Sequence, residues 1–268
     1  MEHNDYTGVE VQPSAKLAWY PTVNQTVWAS VSRAVRTPSR AESDGSLNIQ
    51  YVPAYGLVAQ EQGNPNLKSE ELAAYELGYR IRPLSNLSFD ISTYINDYDN
   101  LRTFEFGLPK LTSNGPVLPL IAQNLGKGQT YGFELASTWE VTPIWSLKGS
   151  YTYTGVDLKN KSGSNDITLA QEENKIPENQ FNIRSNLKVL DNVELTNTVY
   201  YVDKLPLYNV DSYFRFDTGV NWKVDKGIDV SLVGQNLLDN SHQEFGASVQ
   251  SVPNLVERNI YAKITFHY

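Results

Sequence analysis

The chain of 268 residues has no cysteine, one methionine and only three histidines. Without cysteine there is no disulfide framework, no thiolate metal site and no cysteine nucleophile. His3, His242 and His267 are too scattered to build a zinc site or a Ser/His/Asp triad. No metal, cofactor or enzymatic activity is therefore expected. Basic charge is also scarce, with 22 Lys and Arg against 30 Asp and Glu. The resulting net charge of −8 argues against nucleic acid as a partner, since phosphates require a basic face. No apolar run approaches the roughly 18–20 residues of a membrane helix. The longest near-candidate, Val117 to Ala122, contains Pro119. The polar, acidic start Met1-Glu2-His3-Asn4-Asp5 lacks the basic stretch and apolar core of a signal peptide.

What the chain does contain is period-two alternation. In Phe181-Asn182-Ile183-Arg184-Ser185-Asn186-Leu187-Lys188-Val189 the odd positions are mostly apolar and the even ones polar. The stretch from Phe214 to Val224 repeats the pattern. At the C-terminus Ile260, Ala262, Ile264, Phe266 and Tyr268 share one face, opposite Asn259, Tyr261, Lys263, Thr265 and His267. No apolar stripe recurs at three and four residues over a long window, so a helical reading fails. About eleven segments alternate, at roughly 12–20, 24–35, 69–82, 86–98, 129–141, 144–157, 179–190, 192–204, 212–224, 227–237 and 257–268. Each is long enough for a membrane-crossing strand of ~9–11 residues.

The connections sort by length. Short turns fall near Pro21-Thr22-Val23, Pro83-Leu84-Ser85, Thr142-Pro143, Leu190-Asp191 and Asp225-Lys226. Long ones cover roughly 36–68, 99–128, 158–178, 205–211 and 238–256. Short turns at one rim and long loops at the other mark an outer-membrane barrel. Aromatics gather near the strand ends: Trp19 and Tyr20, Trp139, Trp145, Tyr151 and Tyr153, Tyr200 and Tyr201, Trp222, Phe266 and Tyr268. Amphipathic rings favour the interface between hydrocarbon and water, although the same rings could fill the core of a soluble sandwich. The opposite faces carry Arg80, Arg82, Asp90, Ser92, Glu134, Thr138, Glu140, Arg184, Asn186, Lys188, Arg215 and Asp217. So polar a face suits a wide, water-lined or plugged lumen.

The fold class expected is all-β, an antiparallel transmembrane barrel segment. An antiparallel meander closes only with an even number of strands, so about eleven make part of a barrel rather than a whole one.

Four blocks, in order, resemble the C-terminal half of the barrel of a TonB-dependent outer-membrane receptor. The first runs from Trp28 to Ser39 and ends in Arg36-Thr37-Pro38. The second, Gly63-Asn64-Pro65-Asn66-Leu67-Lys68-Ser69-Glu70 followed by Tyr75-Glu76-Leu77-Gly78-Tyr79, is the most specific. The third is Tyr131-Gly132-Phe133-Glu134. The fourth is Asn236-Leu237-Leu238-Asp239 with the terminal aromatics, although the family often has an aromatic where Leu238 stands. Locally, Gly63-Asn64-Pro65 reads as a turn, and Gly132 leaves space on the lumen face where a plug could approach, or marks a bulge.

The resemblance implies the second half of a 22-stranded barrel that, with a plug and the TonB complex, imports a ferric siderophore or similar scarce ligand. The whole chain, 1–268, reads as barrel, with no plug domain, TonB box or signal peptide recognised in it. Expected partners are the ferric chelate, the TonB complex through a plug not present in this chain, outer-membrane lipid and the outer-membrane assembly machinery. Phe266 and Tyr268 resemble the terminal aromatic signal read by that machinery. Candidate ligand contacts are Arg36, Arg40, Tyr51 and Tyr55 on the first long loop, and Arg102, Phe104 and Phe106 on the second. Arg presents a planar fork of donors to carboxylate or catecholate oxygens. The alternatives are a passive porin-like barrel and a soluble, secreted β-sandwich that binds glycans.

Overall fold

The computed structural model describes residues 1–246 and 253–267. In its main sheet each long strand bonds to its neighbours in sequence, always antiparallel. These strands are β1 (Ser14–Thr22), β2 (Gln25–Arg36), β3 (Glu70–Leu84), β4 (Leu87–Phe106), β5 (Gly115–Thr142) and β6 (Trp145–Asn160). β7 (Asn179–Leu190), β8 (Val193–Val202), β9 (Tyr213–Lys223), β10 (Ile228–Gln235) and β11 (Asn259–Phe266) complete the order. All eleven alternating segments are therefore strands. β1 and β11 form the two edges and do not pair with each other, so the sheet is an open length of barrel wall.

Two expected loops contain more structure than their composition suggested. The stretch 99–128 is largely a continuation of β4 and β5, which run on past the spanning region. Alternation persists there through Arg102-Thr103-Phe104-Glu105-Phe106, and β5 also gains a parallel partner, Leu57–Gln62, through pairs such as Val117 with Val58. Gly107, Pro116 and Pro119 read as loop residues, yet Gly107 N–H simply donates to the Pro119 carbonyl at 2.9 Å. The stretch 36–68 holds a short helix, Arg40–Asp44, and the hairpin of Ser46–Val52 with Leu57–Gln62.

Cross-strand register lines the apolar residues up in rows. Ile183 faces Val199, which faces Phe216; Leu187 faces Leu195, then Val220, then Leu232. Ile183 is 52% exposed and Leu232 56%, exposure that only a hydrocarbon environment makes favourable for a continuous apolar band. On the other face lie ion pairs such as Arg80–Asp90, 2.5 Å, and Arg215–Asp217, 2.8 Å.

Aromatics form two belts on the apolar face. Towards the long loops, Tyr151, Phe181, Tyr201 and Phe214 occupy one register row, with ring centroids of the last three 4.9–6.0 Å apart. Towards the short turns sit the exposed Trp19, Trp139, Trp145, Trp222 and Phe266. Tyr20 and Tyr200 depart from the expected belt, because their neighbours Trp19 and Tyr201 take the apolar side and alternation sends them to the polar one. There Tyr200 lies under the Arg215 guanidinium, 5.6 Å from ring centroid to Cζ.

The space beside Gly132 is taken by the protein itself. A Cβ at Gly132 would lie 2.1 Å from the Tyr153 carbonyl and 2.8 Å from the Tyr94 hydroxyl, which reaches Thr154 Oγ1 at 3.2 Å. Gly132 thus lets Tyr94 cross the strand, rather than leaving an opening for a plug. Trp28 covers Gly78 in the same way.

In the membrane-inserted protein, Ile183→Arg should cost about 2–4 kcal/mol in urea titrations in lipid vesicles, as for a cation near the bilayer midplane. Asn186→Arg, on the polar face, should cost less than about 1 kcal/mol. Equal losses would contradict the assignment of faces. Gly132→Val should cost about 1–3 kcal/mol by overpacking, and more than Tyr94→Phe, which removes one hydrogen bond.

Candidate functional site

Where β2, β3, β4 and β5 leave the belt, their polar-face residues meet the long loops. Ser39 caps the Arg40–Asp44 helix, its hydroxyl accepting from Glu42 N–H while Glu42 accepts from Ser39 N–H. This capping box aims the Glu42 carboxylate back at β2 and β4. Arg36 donates to Glu42 at 3.0 Å and holds Glu70 through Nε and Nη2 at 2.7 and 2.8 Å. The Arg102 guanidinium also grips Glu42, and its backbone N–H donates to Glu70 at 2.8 Å. Two arginines and two glutamates thus tie the root of the first loop to the wall.

Burial of Glu42 pushes its carboxyl upward. Donors from the Ser39 backbone and hydroxyl, with Arg36 and Arg102, outweigh that and hold it at about 2.

The second block is the other half of this anchor. Gly63 N–H donates to the Gly45 carbonyl at 2.8 Å, and a Cβ on Gly63 would meet the helix backbone at 2.8–2.9 Å. Asn64 Nδ2 donates to the Ala122 carbonyl at 3.0 Å. Asn124 acts as a spare peptide group: it accepts from Lys68 N–H at 2.7 Å and donates to the Lys68 and Asn100 carbonyls.

The loop 161–178 is fixed similarly. Asp166 accepts from Phe104 N–H at 2.7 Å and from its own loop at Thr168 and Leu169. Its carboxyl is raised by burial but lowered further by these donors, so it lies below the usual carboxylate range. Glu105 accepts from Ser164 and Asn165, and Asn165 accepts from Phe106 N–H.

Between the anchored loops lie two cavities that share Arg102 and Phe104. One, about 490 Å³, is lined by Arg36, Glu42, Leu47, Glu61, Arg102 and Phe104 among others. The second, about 510 Å³, is bounded by Tyr98, Arg102, Phe104, Leu169 and Lys175. The Arg102 guanidinium lies 4.9 Å over the Phe104 ring.

Of the predicted contacts, Arg36, Arg102 and Phe104 come together. Arg40 lies exposed at the start of the helix, and Tyr51 and Tyr55 are 59% and 78% exposed near the hairpin tip. Phe106 sits at the end of β4, 38% exposed. Glu42, Glu70, Asp166 and Asn124 were not among the expected site residues. Only Glu42 had a local signal, the Ser39-x-x-Glu42 capping box. Phe266 is exposed on the apolar face at the end of β11, and Tyr268 lies outside the described residues. Among the described residues no cluster of three or more His, Cys, Asp or Glu could hold a metal ion.

A family model described as "TonB dependent receptor-like, beta-barrel" matches residues 2–237. The chain belongs to this family. It is 26% identical over 178 residues to the "Probable TonB-dependent siderophore receptor PiuA" of Acinetobacter baumannii, a match covering 60% of this chain and 24% of that protein. It is 23% identical over 264 residues to the "Iron-regulated outer membrane virulence protein" of Vibrio cholerae, covering 92% and 38%. Among solved structures, a mutant of the ferric enterobactin receptor PfeA from Pseudomonas aeruginosa superposes with a TM-score of 0.75 at 19% identity. The siderophore receptor PirA from A. baumannii gives 0.74 at 18%. Each match covers 98% of this chain and 41% of the other. The chain thus spans less than half the length of these relatives. The strands are those of an outer-membrane receptor wall, with the short turns periplasmic and the long loops outside. The family comprises receptors and transporters rather than enzymes.

Because the Glu42 carboxyl is lowered in the folded loop, its contribution is complete above the ordinary glutamate value near 4.5. That contribution is lost as pH falls towards about 2. Hydrogen exchange should therefore show residues 37–69 losing protection across that acid window. Glu42→Gln should expose them at neutral pH. Unchanged protection in the variant would show that Glu42 does not anchor the loop.

Proposed function

We propose that this chain forms wall and extracellular loops of an outer-membrane importer that binds a ferric siderophore or similar scarce chelate and moves it inward with energy from TonB. The observation that carries this reading is the pair of cavities around Arg102 and Phe104, held open between anchored loops at the mouth of a polar-faced wall of this family. The named relatives support it, and one neighbouring structure is of a PfeA mutant in complex with enterobactin.

Arg36 and Arg102 set the cavity walls, Phe104 offers an aromatic surface, and the exposed Arg40, Tyr51, Tyr55 and Phe106 meet the ligand from the loops. Iron arrives inside its chelator, so the site needs donors and rings rather than metal-binding side chains. No covalent chemistry is assigned to it, and nucleic acid is no partner. A working importer also needs further wall strands. β1 and β11 each have one unpaired side, and such groups cost several kcal/mol each in hydrocarbon. A plug linking the lumen to TonB, and recognition of Phe266 and Tyr268 by the assembly machinery, belong to the same reading.

The test is uptake of radioiron-loaded siderophores by iron-starved source cells. Deleting the gene should abolish uptake of one chelate class, and Arg40→Ala or Phe104→Ala should weaken its binding about tenfold, as for one lost charge-assisted or aromatic contact. Uptake that persists without TonB would favour the passive pore. Normal uptake of every chelate by the deletion strain would overturn the proposal.

A further inference from the structure

Among the described residues, every cation that lines the two mouth cavities is already paired. Arg36 and Arg102 hold Glu42, Arg36 also holds Glu70 at 2.7 Å, and Lys175 reaches Glu172 at 2.5 Å. These three cations share the cavity walls with five carboxylates, Glu42, Glu61, Glu70, Asp166 and Glu172. Burial raises the Glu42 and Asp166 carboxyls, but their donors outweigh it and keep both ionised at neutral pH. Arg40, exposed and without an ion pair among the described residues, lines neither cavity. The acidic surplus extends over the loops, since the five long connections together carry nine Lys and Arg against twelve Asp and Glu.

Glu61 stands apart from the anchor. It lies on the hairpin strand Leu57–Gln62, opposite Leu47, and faces the cavity of about 490 Å³. Among the described residues it forms no ion pair, and its carboxylate accepts no hydrogen bond. A half-buried carboxylate in that position needs a donor, and an ammonium is the strongest available.

The second cavity, about 510 Å³, differs in its walls. They are largely aliphatic, with Leu101, Val156, Leu158, Leu169 and Ile176, and rings stand only at Tyr98 and Phe104. Because the two cavities share Arg102 and Phe104, one extended ligand can occupy both.

These features discriminate between chelates. Three dianionic catecholates leave ferric iron with three negative charges, whereas three monoanionic hydroxamates neutralise it. A trianion would meet excess negative charge and no unpaired cation in either cavity, which like-charge repulsion penalises. A linear trihydroxamate is uncharged at its iron and joins its metal-binding groups through aliphatic spacers. We infer, resting on the importer reading above, that the chelate taken by this mouth is a linear ferric trihydroxamate with a terminal ammonium. Its spacers lie against Leu158, Leu169 and Ile176, and its ammonium donates to Glu61.

The test is equilibrium binding of radioiron-loaded chelates to the full receptor in mild detergent. The probes are ferrioxamine B, its N-acetylated form and ferric enterobactin. Ferrioxamine B is a linear trihydroxamate with a free ammonium, and acetylation removes that charge alone. The unaltered receptor should bind ferrioxamine B about a hundredfold more tightly than ferric enterobactin. It should prefer ferrioxamine B to the acetylated form about tenfold, as for one charge-assisted hydrogen bond, and Glu61→Gln should bring that ratio close to one. Heat-modified electrophoretic mobility reports that the variant is folded. Ferric enterobactin bound as tightly as ferrioxamine B, or more tightly, would overturn the trihydroxamate class and leave the importer reading intact. An unchanged ratio in folded Glu61→Gln would overturn the ammonium contact. Binding of none of the ferric chelates would overturn the importer reading and the trihydroxamate class together.

Discussion

Inside a bilayer a backbone amide has no water to bond, and this constraint orders everything else in the chain. It explains why each long strand lies beside its sequence neighbours and why register is continuous where the wall crosses hydrocarbon. The irregularities obey the same rule. Register shifts occur between Trp19 and Thr22, Ile81 and Leu84, Glu140 and Thr142, and Lys188 and Leu190, all beside the short turns. The remaining shifts in the wall lie between Gln123 and Gly128, beyond the outer belt. A bulge leaves a residue unpaired, so the wall confines bulges to places that water reaches.

Period-two alternation then makes one sequence serve two solvents. The apolar side is a simple surface, because lipid adapts to its shape. The polar side has to be filled by the protein itself, and the pairings of Tyr94 with Gly132 and Trp28 with Gly78 show how. A large ring on one strand crosses the neighbouring strand where a side chain is missing. This packing sets the positions of glycine in two of the four blocks that marked the family, Gly78 and Gly132.

The strands were legible in the sequence because alternation is local. Asn179–Leu190 has the limits its pattern gave it, and the other spanning strands shift at the short turns by about two residues at most. The loop roots were not legible, because their bonds join residues far apart in the chain. Asn64 meets Ala122, Lys68 meets Asn124 and Phe104 meets Asp166, none of which has a periodic signature. The same distance hid the partners of Arg36 and Arg102. Their positions near the mouth could be read from sequence, but the carboxylates they hold come from a helix and a strand elsewhere. Gly107 and Pro119 misled in the opposite direction, since their turn-forming character concealed the long hairpin of β4 and β5.

Neutralised arginines give the mouth a particular electrostatic character. Arg36 and Arg102 are balanced by Glu42 and Glu70, so the loop roots keep their geometry without drawing on the charge of any ligand. In the proposed importer, attraction for an anionic chelate then depends on groups outside this cluster, such as Arg40, an exposed cation of the first loop that forms no ion pair among the described residues. The exposed tips at Tyr51 and Tyr55 contribute little to the anchor, and residues there can change at small cost to stability. Rigid roots with replaceable tips allow one wall to be adapted to different chelates, because the bonds that hold a loop in place are not those that select what it binds.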